Sequence, residues 1–89
     1  MAEVSVSVRL PTLRKGANPD VEGMAVFRLQ QILNTVGAGS LEEDGEFGTS
    51  TQKAVKVVQG KLNLTADGVV GKNTWTALLK TYFFGSLPG

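Results

Sequence analysis

The chain has no cysteine and no histidine, and only one tryptophan and one tyrosine among its 89 residues. Without cysteine there is no disulfide framework to staple a small domain, and the redox compartment is left open. With neither residue type, zinc-dependent hydrolysis and Cys–His nucleophilic catalysis are excluded, so a pair of carboxylates is the remaining hydrolytic chemistry. No apolar run approaches the roughly 18 to 20 residues of a membrane span. The start, Met1-Ala2-Glu3-Val4, lacks the basic head and apolar stretch of a signal peptide, so any export signal has been removed or lies outside this piece. An excess of one charge is missing too, since nine Lys and Arg face eight Asp and Glu for a net charge of +1. A domain that drew its affinity from phosphates would show a basic excess or stripe, so nucleic acid is disfavoured as a partner. What remains is a globular balance, 42% hydrophobic and 19% charged, which predicts one small domain held by packing alone.

What the chain does have is a motif written twice, Asp44-Gly45-Glu46-Phe47-Gly48-Thr49-Ser50-Thr51 and Asp67-Gly68-Val69-Val70-Gly71-Lys72-Asn73-Thr74. Each copy reads D-G-x-(apolar)-G-x-x-T and leads into a helical pattern. Asp before Gly suits a tight turn, because the carboxylate accepts from backbone two residues on and Gly tolerates positive φ. Phe47 and Val70 are expected to plug the core, and the second Gly to let the backbone bend closely. Thr49 or Ser50, and Asn73 or Thr74, are expected as the caps of the helices that follow.

Around these turns the periodicity predicts three amphipathic helices. The first spans about Val21–Val36, with Val26, Leu29, Gln30 and Leu33 on one face, Asp20 as N-cap and Gly37 as C-cap; Gly23 weakens its first turn. The second covers about Ser50–Leu62 with Ala54, Val55, Val58 and Leu62 inward, and the third about Asn73–Tyr82 with Trp75, Leu78, Leu79 and Tyr82 inward. Val4, Val6 and Val8 alternate with serines and predict an extended arm over residues 1–9. Thr12–Asp20 reads as a loop, and residues 83–89 as a tail or linker after a domain covering 10–82. The fold class expected is all-α, a small three-helix bundle with two similar turn-helix units. Gln30 and Gln59 sit at or beside buried stripes, where an amide must be hydrogen-bonded, and tying the D-G turns to the helices is their expected role.

Leu13-Arg14-Lys15-Gly16, Val26-x-x-Leu29-Gln30-x-x-Leu33, Gly37, the two D-G turns with Ala54-Val55, Gln59 and Leu64, and Thr74-Trp75-x-x-Leu78 occur in an order that resembles the bacterial peptidoglycan-binding domain 1 family. The likeness covers about residues 10–80 and rests on several separate signatures rather than on one D-G pair. It implies a three-helix module that anchors cell-wall hydrolases, amidases, transpeptidases or phage lysins on murein. Two departures stand out. Val58 precedes Gln59 where the family has an aromatic residue, and the stretch between Gly16 and Val26 is longer than usual.

The function expected is therefore non-catalytic binding of peptidoglycan, through its glycan strand or stem peptide, next to a tethered catalytic domain. The location expected is the cell envelope, or the wall as the target of a phage protein. A scaffold or protein-interaction domain of the same fold is the alternative, with Val4–Val8 or Phe83-Phe84 as its contact. The acids Glu42, Glu43, Asp44 and Glu46 lack the spacing of a calcium loop and sit on one short segment without a cleft, so neither metal, cofactor nor catalytic residue is expected. Murein offers hydroxyls, amides and carboxylates, which places the expected ligand groove beside the two turns. Its candidate residues are Arg28, Gln30, Asp44, Gly45, Asp67, Gly68 and Lys72, with Arg28 and Lys72 facing carboxylates and the aspartates facing donors.

Overall fold

The computed structural model describes residues 10–85, so the extended arm expected over residues 1–9 lies outside the described residues. Three helices follow one another: α1 (Pro19–Val36), α2 (Thr49–Lys61) and α3 (Lys72–Phe84), with α1 packed against both others. Val26, Leu29, Leu33, Val55, Val58 and Leu78 are fully enclosed, joined by Leu13, Phe47, Val70 and Trp75 from outside the aliphatic stripes. Each such side chain contributes about 1.5–3 kcal/mol on leaving water, and in a chain without disulfides this burial is the main source of stability. Val58, which stands where the family has an aromatic residue, is wholly buried. That position belongs to the core and not to a ligand-facing surface.

The helix starts differ from the expectation, for one physical reason each. α1 opens at Pro19, with Asn18 as N-cap accepting from the Asp20 N–H at 3.0 Å. Proline at the first helical position has no N–H to leave unpaired and a φ already set for the helix, which moves the cap two residues ahead of Asp20. α2 and α3 begin after Gly48 and Gly71, with no side-chain cap on either. The hydroxyls of Thr51 and Thr74 are engaged elsewhere, by glutamine amides. α1 ends on Gly37 with φ 88° as expected. α3 continues to Phe84, two residues beyond Tyr82, because nothing interrupts the helical pattern before Gly85. Tyr82, Phe83 and Phe84 are exposed on that last turn, and the first two rings meet edge to face at 5.2 Å.

The segment ahead of α1, expected as a plain loop, joins the two turns. Leu13 and Val70 exchange both backbone hydrogen bonds in an isolated antiparallel bridge, at 3.0 and 2.7 Å, and the Gly16 N–H donates to the Phe47 carbonyl at 3.0 Å. Phe47 and Val70 hold the same place in the two copies of the motif. One short stretch of backbone therefore binds corresponding residues of both turns, and Leu13 is fully buried between them. The Trp75 indole N–H closes the same region by donating to the Pro11 carbonyl at 2.8 Å.

Candidate functional site

The two turns are built by corresponding hydrogen bonds, with one more backbone donor on the glutamine oxygen in the first. In the first, the Gln30 amide nitrogen donates to Asp44 Oδ1 (3.1 Å), the Glu46 carbonyl (2.9 Å) and Thr51 Oγ1 (3.1 Å), while its Oε1 accepts from the Asp44 and Gly45 N–H groups. In the second, the Gln59 amide donates to Asp67 Oδ1 (3.0 Å), the Val69 carbonyl (2.9 Å) and Thr74 Oγ1 (3.1 Å), and Oε1 accepts from the Gly68 N–H (3.0 Å). Both glutamines are 1% exposed. A buried primary amide is costly unless paired, and here both donor and acceptor are used to fasten turn to helix. The motif's closing threonine is thus an acceptor for the glutamine, and Thr74 is not the helix cap it was expected to be.

Asp44 and Asp67 face outward from this frame. Each accepts at 2.9 Å from the N–H two residues on, Glu46 or Val69. That backbone bond, and next the glutamine amide, hold both carboxyls below the usual carboxylate range; Arg14 adds a smaller pull on Asp67. Both are ionised at neutral pH. Gly45 and Gly68 adopt φ of 77° and 75°, the left-handed region in which an L side chain is strained.

Outside each turn runs an open groove. The first, about 400 Å³, lies between Ser40–Glu42, Asp44, Glu46 and the start of α2 at Gly48–Thr51. The second, about 460 Å³, lies between Asn63–Thr65, Asp67, Val69 and the start of α3 at Gly71–Thr74. The candidates distribute unevenly over these. Asp44 and Gln30 line the first groove, and Asp67 and Lys72 the second. Gly45 and Gly68 are buried in the turns themselves. Arg28 is exposed on α1, lies within 3.5 Å of the Gln31 side chain, and lines neither groove. Residues that the sequence did not place in a groove are Asn63, Thr65 and Asn73 in the second and Ser40 and Glu42 in the first, Asn73 being expected as a helix cap and Glu42 as part of a solvated acidic cluster. The repeat itself was the available signal for Asn73, which aligns with Ser50.

A family model described as "Putative peptidoglycan binding domain" matches residues 22–78, which spans both turns and their glutamines. The chain belongs to this peptidoglycan-binding domain family. Among solved structures, it is similar to the crystal structure of the SleB N-terminal domain, at 31% sequence identity and a TM-score of 0.75, over 83% of this chain and 96% of that one. The all-α three-helix fold with two turn-helix units is thus a form that the peptidoglycan-binding domain shares with that relative. No helix among the described residues is long and apolar enough to cross a membrane.

Proposed function

We propose that this peptidoglycan-binding domain is a non-catalytic targeting module, which holds an attached wall enzyme against murein at the cell wall. The observation that carries the reading is the pair of grooves, each set beside a turn that a buried glutamine holds rigid, in a chain of this family. Asp44, Asp67 and Lys72 are the direct contacts of this proposal, the aspartates accepting from hydroxyl or amide groups and Lys72 facing carboxylate. Gln30, Gly45 and Gly68 act through the turns they fix, and Arg28 contributes only to the charge around them. Weak affinity per groove suffices, since tethering turns the second encounter of the enzyme with its insoluble substrate into a near-intramolecular event. The test is co-sedimentation of the domain with purified sacculi, beside an unrelated module of similar size and charge at two salt concentrations. Retention above the control at both salts is expected. Pelleting no better than the control would sink the reading and favour a scaffold role for the same fold.

A further inference from the structure

The two copies of the clamp differ on the helix that carries the glutamine. Seven residues before Gln59, α2 has Gln52, and three before it Lys56; the same places in α1 hold Gly23 and Phe27. In the second copy these long side chains lie over the turn, since a Cβ added to Gly68 would meet Gln52 Cγ at 3.0 Å and Lys56 Cε at 3.2 Å. In the first copy the atoms nearest to a Cβ on Gly45 belong to the backbone of Gly23. Where α2 covers its turn, α1 leaves a hollow of about 360 Å³ beside Gly23 and Gly45, walled by Pro19, Met24 and Phe27 and edged by Glu43 and Asp44.

Nothing in the helix calls for glycine at this place. Gly23 has no positive φ, and a Cβ added there would make only ordinary contacts, with the Gly45 carbonyl oxygen and Pro19 Cβ at 3.8 Å each. Glycine inside a helix is less favourable than any residue but proline, so the hollow is kept open at a cost in helix stability. Met24, on its wall, is an apolar side chain left 71% exposed. The carboxylates at the edge are each held by one oxygen. Asp44 Oδ1 accepts from the Gln30 amide and the Glu46 N–H, and Glu43 Oε2 accepts from Asn34 Nδ2 at 2.9 Å. Asp44 Oδ2 and Glu43 Oε1 accept from nothing among the described residues.

An apolar wall with two fixed, unfilled acceptors and no basic residue in its lining suits a ligand with an apolar face and hydroxyl or amide donors. A free stem-peptide carboxylate would be repelled there, and an ammonium would lose its hydration against Pro19, Met24 and Phe27. We propose that this hollow binds an N-acetylated sugar of the glycan strand, with the acetamido methyl against Met24 and Phe27 and hydroxyl groups donating to Asp44 and Glu43. The inference rests on the targeting function proposed above and specifies the part of murein that is read beside the first turn.

The test is sacculus co-sedimentation of the whole chain at two salt concentrations, with the variants Gly23→Gln, Met24→Ala and Gly60→Gln. Gly23→Gln gives α1 the residue that α2 lays over its own turn. It should keep or raise the thermal midpoint, because glutamine forms helix better than glycine. It should weaken binding by about fourfold or more, the worth of one apolar carbon shut out of the hollow. Gly60→Gln makes the same exchange in α2 with open space around it, and should bind as the parent does. Met24→Ala, at an exposed side chain, should keep the midpoint and weaken binding by about twofold to fourfold. A soluble, neutral tetramer of N-acetylglucosamine should displace the parent from sacculi equally at both salts, and free stem peptide should not. If Gly23→Gln folds as the parent does and binds as tightly, the hollow is not a binding site; should that variant unfold, parent-like binding by Met24→Ala leads to the same conclusion. If the sugar does not displace the parent, the choice of ligand is overturned. Each of these results leaves the targeting function standing, whereas a parent domain that fails to bind sacculi overturns both.

Discussion

The glutamine clamps make a prediction whose size follows from the hydrogen bonds. In Gln59→Leu the side chain keeps its approximate volume, but the Val69 carbonyl, the Thr74 hydroxyl and the Gly68 N–H lose their partner in a part-buried or buried setting. A buried polar group left unpaired costs about 1–3 kcal/mol. The two buried ones, the Thr74 hydroxyl and the Gly68 N–H, after allowance for the apolar gain of leucine, give a loss of about 3 kcal/mol. A chain of this length has roughly 4–13 kcal/mol of total stability, so the variant should unfold at clearly lower urea. Trp75, the single tryptophan and 4% exposed, supplies the fluorescence signal. A loss below about 1 kcal/mol would refute the claim that the clamp carries the turn.

Gln59→Glu tests the same contacts with a proton. The glutamate would point oxygen at Asp67 Oδ1, the Val69 carbonyl and the Thr74 hydroxyl, where the amide now donates. Its ionised form is disfavoured in the fold, so its folded pKa must rise above the unfolded value of about 4.3. A raised carboxyl pKa places the penalty at high pH and removes it as pH falls through the folded value. The variant should therefore gain stability relative to the parent between pH 7 and pH 5. A difference from the parent that stays constant over this range would show that the amide donors do not face those oxygens.

Three further outcomes follow from the turns and helices. Gly45→Ala should cost more than Gly68→Ala in urea unfolding: both add strain at positive φ of about 1–2 kcal/mol, but the new Cβ lies 3.0 Å from the Gly23 backbone oxygen in the first case and 3.0 Å from the flexible Gln52 Cγ in the second. Equal costs would refute the distinction. Gly60→Ala, inside α2 with open space around the added Cβ, should stabilise by about 0.5–1 kcal/mol through helix propensity, read as a higher urea midpoint. Asp44 and Asp67 have depressed pKa values, so the stability they supply is complete above their unfolded value of about 3.9 and is lost as pH falls through the folded values; Asp67→Asn, which keeps an Oδ1 acceptor but has no proton to gain, should show a shallower acid limb between pH 5 and pH 2.

The sequence made the interior legible where a local rule governs it. The D-G pairs gave the positive-φ glycines and the carboxylates that accept two residues on, and the helical periodicity found Val26, Leu29, Leu33, Val55, Val58 and Leu78. It misplaced the starts of α2 and α3 by a residue because Thr49, Ser50, Asn73 and Thr74 look like caps by residue type, while the caps are Gly48 and Gly71 and the Thr74 hydroxyl is taken by Gln59, which only the tertiary fold brings against it. The pairing of residues 13–16 with both turns was illegible for a related reason. A few backbone bonds that join Leu13 to Val70 and Gly16 to Phe47 across the fold leave no period in the chain. The walls of the two grooves were legible only in part, since Glu42 and Asn63 enter them from connecting segments outside the repeated motif.

The repeated frame and the divergent surface are physically separable, and this separation can be tested by transplanting one surface onto the other. The clamp uses the backbone of residue 46 through its N–H and carbonyl, and its glutamate side chain is exposed. Thr49 is likewise exposed at the start of α2. Glu46→Val with Thr49→Lys would therefore give the first motif two of the three outward residues by which the second differs, Asn73 in place of Ser50 being the third, without touching a buried bond, and surface changes of this kind shift stability by only about 0.5 kcal/mol. The net charge bordering the first groove would rise by two, leaving Asp44 and Glu42 against one lysine. Sacculus binding should then strengthen, by an amount that falls with salt as an exposed charge effect must. A doubly substituted chain that is destabilised by more than about 1 kcal/mol would show that Glu46 serves the frame after all. One that folds as the parent does but binds no better would show that charge at these two positions does not govern binding.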